Sequence, residues 1–137
     1  MVGTPYGAGW APRVLSILRI AAALFLLQHG TMKFLGFPPG TPPAAMSPGW
    51  YAGLFELIGG ALLVIGLFSR PVAFLLSGMT AVAYFMVHAP RGFFPLLNGG
   101  ELAALYSFVF LYLSVAGPGP WSVDAFLKRD GKLPAWA

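Results

Sequence analysis

The chain has 137 residues, of which 58% are hydrophobic and 9% charged, where a soluble domain averages about 25% charged. This is more apolar than a water-soluble core of this length requires, and the length admits one domain. The net charge of +4 does not mark a nucleic-acid binder, because the basic residues flank apolar stretches instead of lining one face; the absence of cysteine excludes disulfides, thiolate metal sites and dithiol redox chemistry.

Residues 1–12 carry no positive charge, and the apolar stretch behind them is too long for a removable leader and lacks a small-residue cleavage site. It is expected to stay as an anchor. Four apolar stretches, 14–35, 50–68, 71–89 and 101–116, each come close to the roughly 20 residues that cross about 30 Å of hydrocarbon. They predict an all-α integral membrane four-helix bundle, formed as a single domain over 1–137.

The first connection, 36–49, is proline-rich and uncharged, while Ser69-Arg70 is so short that the second and third helices are expected to form a tight antiparallel hairpin. Pro71 suits the first position of the third helix, and Pro90 disfavours helix in the residue before it. The next connection, 90–98, is too apolar for a solvated loop, so with Trp50 and Tyr51 its Phe93 and Phe94 are assigned to an interfacial aromatic belt. Asn98 has the spacing to cap a fourth helix whose first turn holds Glu101. After Gly117-Pro118-Gly119-Pro120, Ser122 is placed to cap one short helix. Trp121, Val123, Phe126 and Leu127 are its apolar residues and Asp124, Lys128 and Arg129 its polar ones, a pattern that reads as an interfacial anchor.

Arg13, Arg70, Lys128, Arg129 and Lys132 fall on one side of an even-numbered bundle, and only Lys33 and Arg91 on the other. The positive-inside rule then puts both ends in the cytoplasm, an N-in/C-in arrangement. Gly53, Gly59, Gly60 and Gly66 on the second helix, with Ala73, Ser77 and Ala81 on the third, supply small surfaces for close helix approach.

Charged groups inside spanning segments are expensive and are therefore either functional or internally paired. In this orientation His29, Lys33, Glu56, His88 and Glu101 fall at similar depth near the outer ends of four helices, forming a candidate ligand or proton site. His29 and Lys33 are one helical turn apart, and Ser77, Ala81, Tyr84 and His88 share a helical face. Tyr84 and Arg19 are secondary candidates, although Arg19 has a plain alternative in reaching its guanidinium toward the cytoplasmic headgroups. Glu56 lies in an apolar run and requires a neutralising partner such as Lys33 or a histidine. No short spacing of ligands such as His-x-x-x-His points to a metal site.

Several stretches resemble the DoxX family of small four-helix membrane proteins. They are Arg19 followed by Gln28-His29-Gly30-Thr31-Met32-Lys33-Phe34-Leu35-Gly36-Phe37, then Glu56-Leu57-Ile58-Gly59-Gly60, Gly66-Leu67-Phe68-Ser69-Arg70-Pro71, Ala83-Tyr84-Phe85-Met86-Val87-His88-Ala89-Pro90 and Asn98-Gly99-Gly100-Glu101. The resemblance implies an inner-membrane four-helix fold. It also implies a link to a thiosulfate-oxidising, quinone-reducing system associated with a terminal oxidase. It transfers no catalytic residue, and the cysteine chemistry of a related thiol-active branch is ruled out here.

The expectation is a redox-associated inner-membrane subunit that holds a quinone-like ligand near the outer leaflet. The alternatives are a non-catalytic accessory subunit of a larger membrane complex and a small-molecule transporter. The expected partners are the lipid bilayer and other membrane subunits or further copies of the chain, with no nucleic acid and no metal.

Overall fold

The computed structural model describes residues 9–134, and every regular element in that range is helical. The expectation of an uncleaved amino-terminal segment rests largely on residues 1–8, which lie outside the described part. Helix α1, Ala11–Leu35, opens with a proline in its first turn and stops at Gly36, whose φ of 68° is left-handed. Helix α2, Pro48–Ile65, is capped by the Ser47 hydroxyl, which accepts from Trp50 N–H at 3.3 Å. Helix α3 is Ser69–Arg91, α4 the single turn Pro95–Asn98, α5 Glu101–Ala116 and α6 Val123–Arg129. By length and composition α1, α2 and α3 can each cross a membrane; α5 is equally apolar but has 16 residues.

Helix limits differ from the sequence reading where backbone hydrogen bonding decides them. Helix α2 ends at Ile65 because Gly66 turns left-handed at φ 73°, and Phe68 at φ 50° completes the reversal into α3. Pro71 therefore stands third in α3, still within the first turn, where its missing N–H would have no intrahelical partner. Asn98 does not cap α5. It ends α4, and its Oδ1 accepts from Gly100 N–H two residues on, at 2.8 Å, so a local turn takes the side chain that the cap needed.

Around an apolar core that includes Leu26, Leu63, Leu76 and Phe110, polar groups are drawn inward and large apolar side chains are left outside. Ser16, Arg19, Glu56, Ser69, Ser77, Thr80, Asn98 and Asp124 are buried, whereas Phe25, Phe74, Phe85 and Phe108 are exposed. Water would strip such a surface into aggregates; hydrocarbon solvates it. Apolar helices of this kind make the chain a membrane protein.

Two antiparallel pairs build the bundle. In the first, α1 lies on α2 through glycines: a methyl group at Gly30 would sit 2.5 Å from the Leu57 backbone nitrogen, and one at Gly60 3.1 Å from Leu27 Cα. In the second, α3 lies along α5, where the Ser77 hydroxyl donates to the Ser107 carbonyl at 2.7 Å. The expected tight hairpin of α2 and α3 forms only in part, because they touch less than either pair does and a cleft separates their far ends.

The end of the bundle where α2 meets α3 is knotted by polar side chains. Arg19 donates to the carbonyls of Pro118 and Trp121, the latter at 2.7 Å. Arg70 donates to the carbonyls of Ser114 and Val115 at the end of α5. Asp124, read from sequence as part of a polar outer face, is fully buried: its carboxylate accepts from Phe68 and Ser69 N–H, each at 2.8 Å. These donors open α3 and have no intrahelical acceptor, so an anion at the positive end of the helix satisfies both. Ser122 caps α6 as its position in the sequence indicates, accepting from Ala125 N–H at 3.1 Å.

Candidate functional site

At the opposite end, α1, α2, α3 and α5 enclose a cleft of about 830 Å³. His29, Lys33, Glu56 and His88 all line it, among walls formed by residues such as Leu26, Phe55 and Met79. Lys33 Nζ lies 2.7 Å from Glu56 Oε2, and both side chains are mostly buried, at 17% and 11% exposed. The apolar run around Glu56 thus finds its neutralising partner across the α1–α2 contact. Gly53 makes this possible, since the Lys33 stem runs over it and a methyl group there would meet Lys33 Cδ at 2.9 Å. His29 lines the cleft and makes no hydrogen bond among the described residues.

Two local distortions fall beside the cleft. The ladder of α2 loosens into a π-helical turn at Phe55–Gly59 and that of α3 into another at Tyr84–His88. Each admits an extra residue per turn and rotates the part of the helix beyond it, a device that recurs at functional sites in helices. Glu56 sits in the first turn, and Tyr84 and His88 bound the second.

The other candidates are placed elsewhere. Glu101 is exposed at the start of α5 and does not line the cleft; at that position its charge favours the helix N-terminus. Tyr84 does not line the cleft; its hydroxyl accepts from Asn98 Nδ2 at the end of α4 at 3.2 Å and its ring stacks near His88. His88 Nδ1 is 3.3 Å from the Asn98 carbonyl, so one face of this imidazole is structural and the other borders the cleft. Arg19 lies at the knotted end. Its headgroup-seeking alternative does not occur either, because backbone carbonyls of the tail hold it at 1% exposure.

Two groups at or beside the site do not read from sequence as part of it, Asn98 reading there only as a helix cap. Asn98 ties α3, the loop and α5 together by donating to Tyr84 and to the Gly92 carbonyl and by accepting from Gly100 N–H. Tyr106 lines the cleft floor, is 6% exposed, and has a hydroxyl with no hydrogen-bond partner among the described residues. A tyrosine in the middle of the apolar run 101–116 was the available signal.

The segment that supplies three of the walls, residues 14–89, matches the sequence profile of the DoxX family over more than half of the chain. The chain belongs to the DoxX family. Its similarity to a protein of Haemophilus influenzae, described as uncharacterized, is 46% identity over 128 residues, covering 88% of this DoxX chain and 96% of that protein. A second protein of the same organism, also described as uncharacterized, is 29% identical over 135 residues, covering 89% and 88%. No solved structure matches this DoxX chain significantly.

Proposed function

We propose that this DoxX protein crosses the inner membrane four times, as one domain with both ends in the cytoplasm, and holds a quinone-like ligand in its cleft as a redox-associated subunit. The quinone comes from the family resemblance. The observation that supports it is a largely apolar cleft of ligand size with a few convergent polar groups: the Lys33–Glu56 pair, the unbonded His29 and the edge of His88. In the proposed topology this polar end lies toward the outer leaflet. Imidazole nitrogens there can exchange hydrogen bonds with a ligand oxygen.

The test is purification in mild detergent followed by extraction and mass spectrometry of whatever small molecule accompanies the protein. Quinone at near-stoichiometric level, reduced in the Lys33→Met, Glu56→Gln double variant while folding is kept, is the expected result. Folded wild-type protein free of quinone would refute the reading. The mutual neutralisation of Lys33 and Glu56 favours a second reading, a non-catalytic accessory subunit whose charges serve its own bundle. A stoichiometric protein partner and no small molecule would establish that one instead.

A further inference from the structure

The cleft has a floor, a charge balance and an exit, and together they constrain what fits. At the floor, Tyr106 lines the cleft, and its hydroxyl is buried without a hydrogen-bond partner among the described residues. Buried hydroxyls are nearly always hydrogen-bonded, so an orphan beside a cleft points to a partner that arrives with a ligand. The charge balance is neutral in the main ion pair, because Lys33 and Glu56 cancel each other at 2.7 Å. A headgroup bearing a formal charge would find no free counter-ion in that pair; an uncharged oxygen acceptor needs none.

The exit runs sideways. A second, wholly apolar hollow of about 400 Å³ lies between α2 and α3, lined by residues that include Ile58, Leu62 and Val72. It shares Tyr51, Phe55 and Leu75 with the cleft, so the two adjoin across these side chains. Phe55, Ile58 and Leu75 are exposed on the lipid-facing surface, and the hollow therefore opens to hydrocarbon rather than to water.

Resting on the proposed function, we infer that the site takes an uncharged, single-tailed amphiphile from within the bilayer. Its head oxygen accepts from the Tyr106 hydroxyl, and its tail lies in the α2–α3 hollow. Tyr106 is then a positioning residue for the head, and Ile58 borders the tail.

The experiment uses the full-length protein in nanodiscs and three probes: a benzoquinone with a decyl tail, the same ring with a methyl group in place of the tail, and decylbenzene. Wild-type protein is compared with Tyr106→Phe and Ile58→Trp in identical discs, so that partitioning into lipid cancels. Tyr106→Phe removes a group that has no partner among the described residues, so it should leave the unfolding temperature of the free protein unchanged or raised. It should weaken the decyl quinone by up to about tenfold, the worth of one good hydrogen bond, and leave decylbenzene unaffected. Ile58→Trp should weaken the decyl quinone while leaving the short-tailed ring unchanged. If wild-type protein binds neither quinone, the proposed function falls and this inference with it. If wild-type binds and both variants match it, the inference alone is overturned.

Discussion

Replacing Glu56 by glutamine removes a charge and little else, which makes it the sharpest probe of the cleft. The amide still offers an oxygen to Lys33 Nζ, now 2.7 Å from the carboxylate, but the ammonium on a side chain only 17% exposed loses its counter-charge. Breaking one member of a buried pair costs roughly 3–5 kcal/mol. The retained acceptor and the residual access to solvent place Glu56→Gln at the low end, about 3 kcal/mol, which is about a hundredfold in the folding equilibrium. Adding Lys33→Met removes the stranded ammonium and should recover much of that loss, since a neutral pair of similar volume is often as stable as the ion pair it replaces. Thermal unfolding in detergent of the wild type, both single variants and the double variant closes the cycle, with bound small molecule measured on the same samples. Recovery of stability with bound ligand still lost assigns the pair a binding role. A neutral Glu56→Gln, or a double variant as unstable as the single one, would refute the reasoning.

Asp124→Ala strips the acceptor from Phe68 and Ser69 N–H and should cost about 1–2 kcal/mol by loss of the cap, visible as a lower unfolding temperature, whereas exposed Glu101→Gln should change little. Gly30→Ala would press a methyl group to 2.5 Å from the Leu57 backbone nitrogen and should destabilise by about 1–3 kcal/mol, while Gly78→Ala, which meets open space, should be neutral or mildly stabilising in the same assay. In the proposed topology a cysteine at Thr41 should react with an impermeant reagent from the outside and one at Lys132 should be protected; the reverse pattern would overturn N-in/C-in.

What the sequence made legible was whatever one segment decides by itself. Apolar stretches imposed helices, Ser122 capped α6, and the need of Glu56 for a partner followed from its apolar neighbours. The remainder depended on contacts between distant segments. Arg19 could not be assigned to carbonyls of residues 118 and 121, about a hundred positions away, and Asp124 looked like a surface residue because the donors it satisfies belong to α3. The π-helical turns at Phe55–Gly59 and Tyr84–His88 carry no compositional mark, as they arise where packing accepts an extra residue in a turn. Glu101 was grouped with the cleft by depth alone, and depth does not fix the direction in which a side chain leaves its helix. Gly30 was overlooked on α1 because a single glycine in a helix has no visible partner until Leu57 lies against it.

The uneven contact between α2 and α3 makes the molecule resemble a pair of tongs. One jaw is α1 with α2 and the other α3 with α5, and the pivot is the reversal at Gly66–Phe68, which Arg19, Asp124 and the chain from Pro118 onward bind tightly. Rigidity is therefore concentrated at the pivot. At the tips, where few contacts join α2 to α3, spreading the jaws breaks little, so the compliance of the bundle lies where the cleft opens to lipid. Loosening the carboxy-terminal segment would then be felt not at the tail but at the mouth of the cleft, at the far end of the lever.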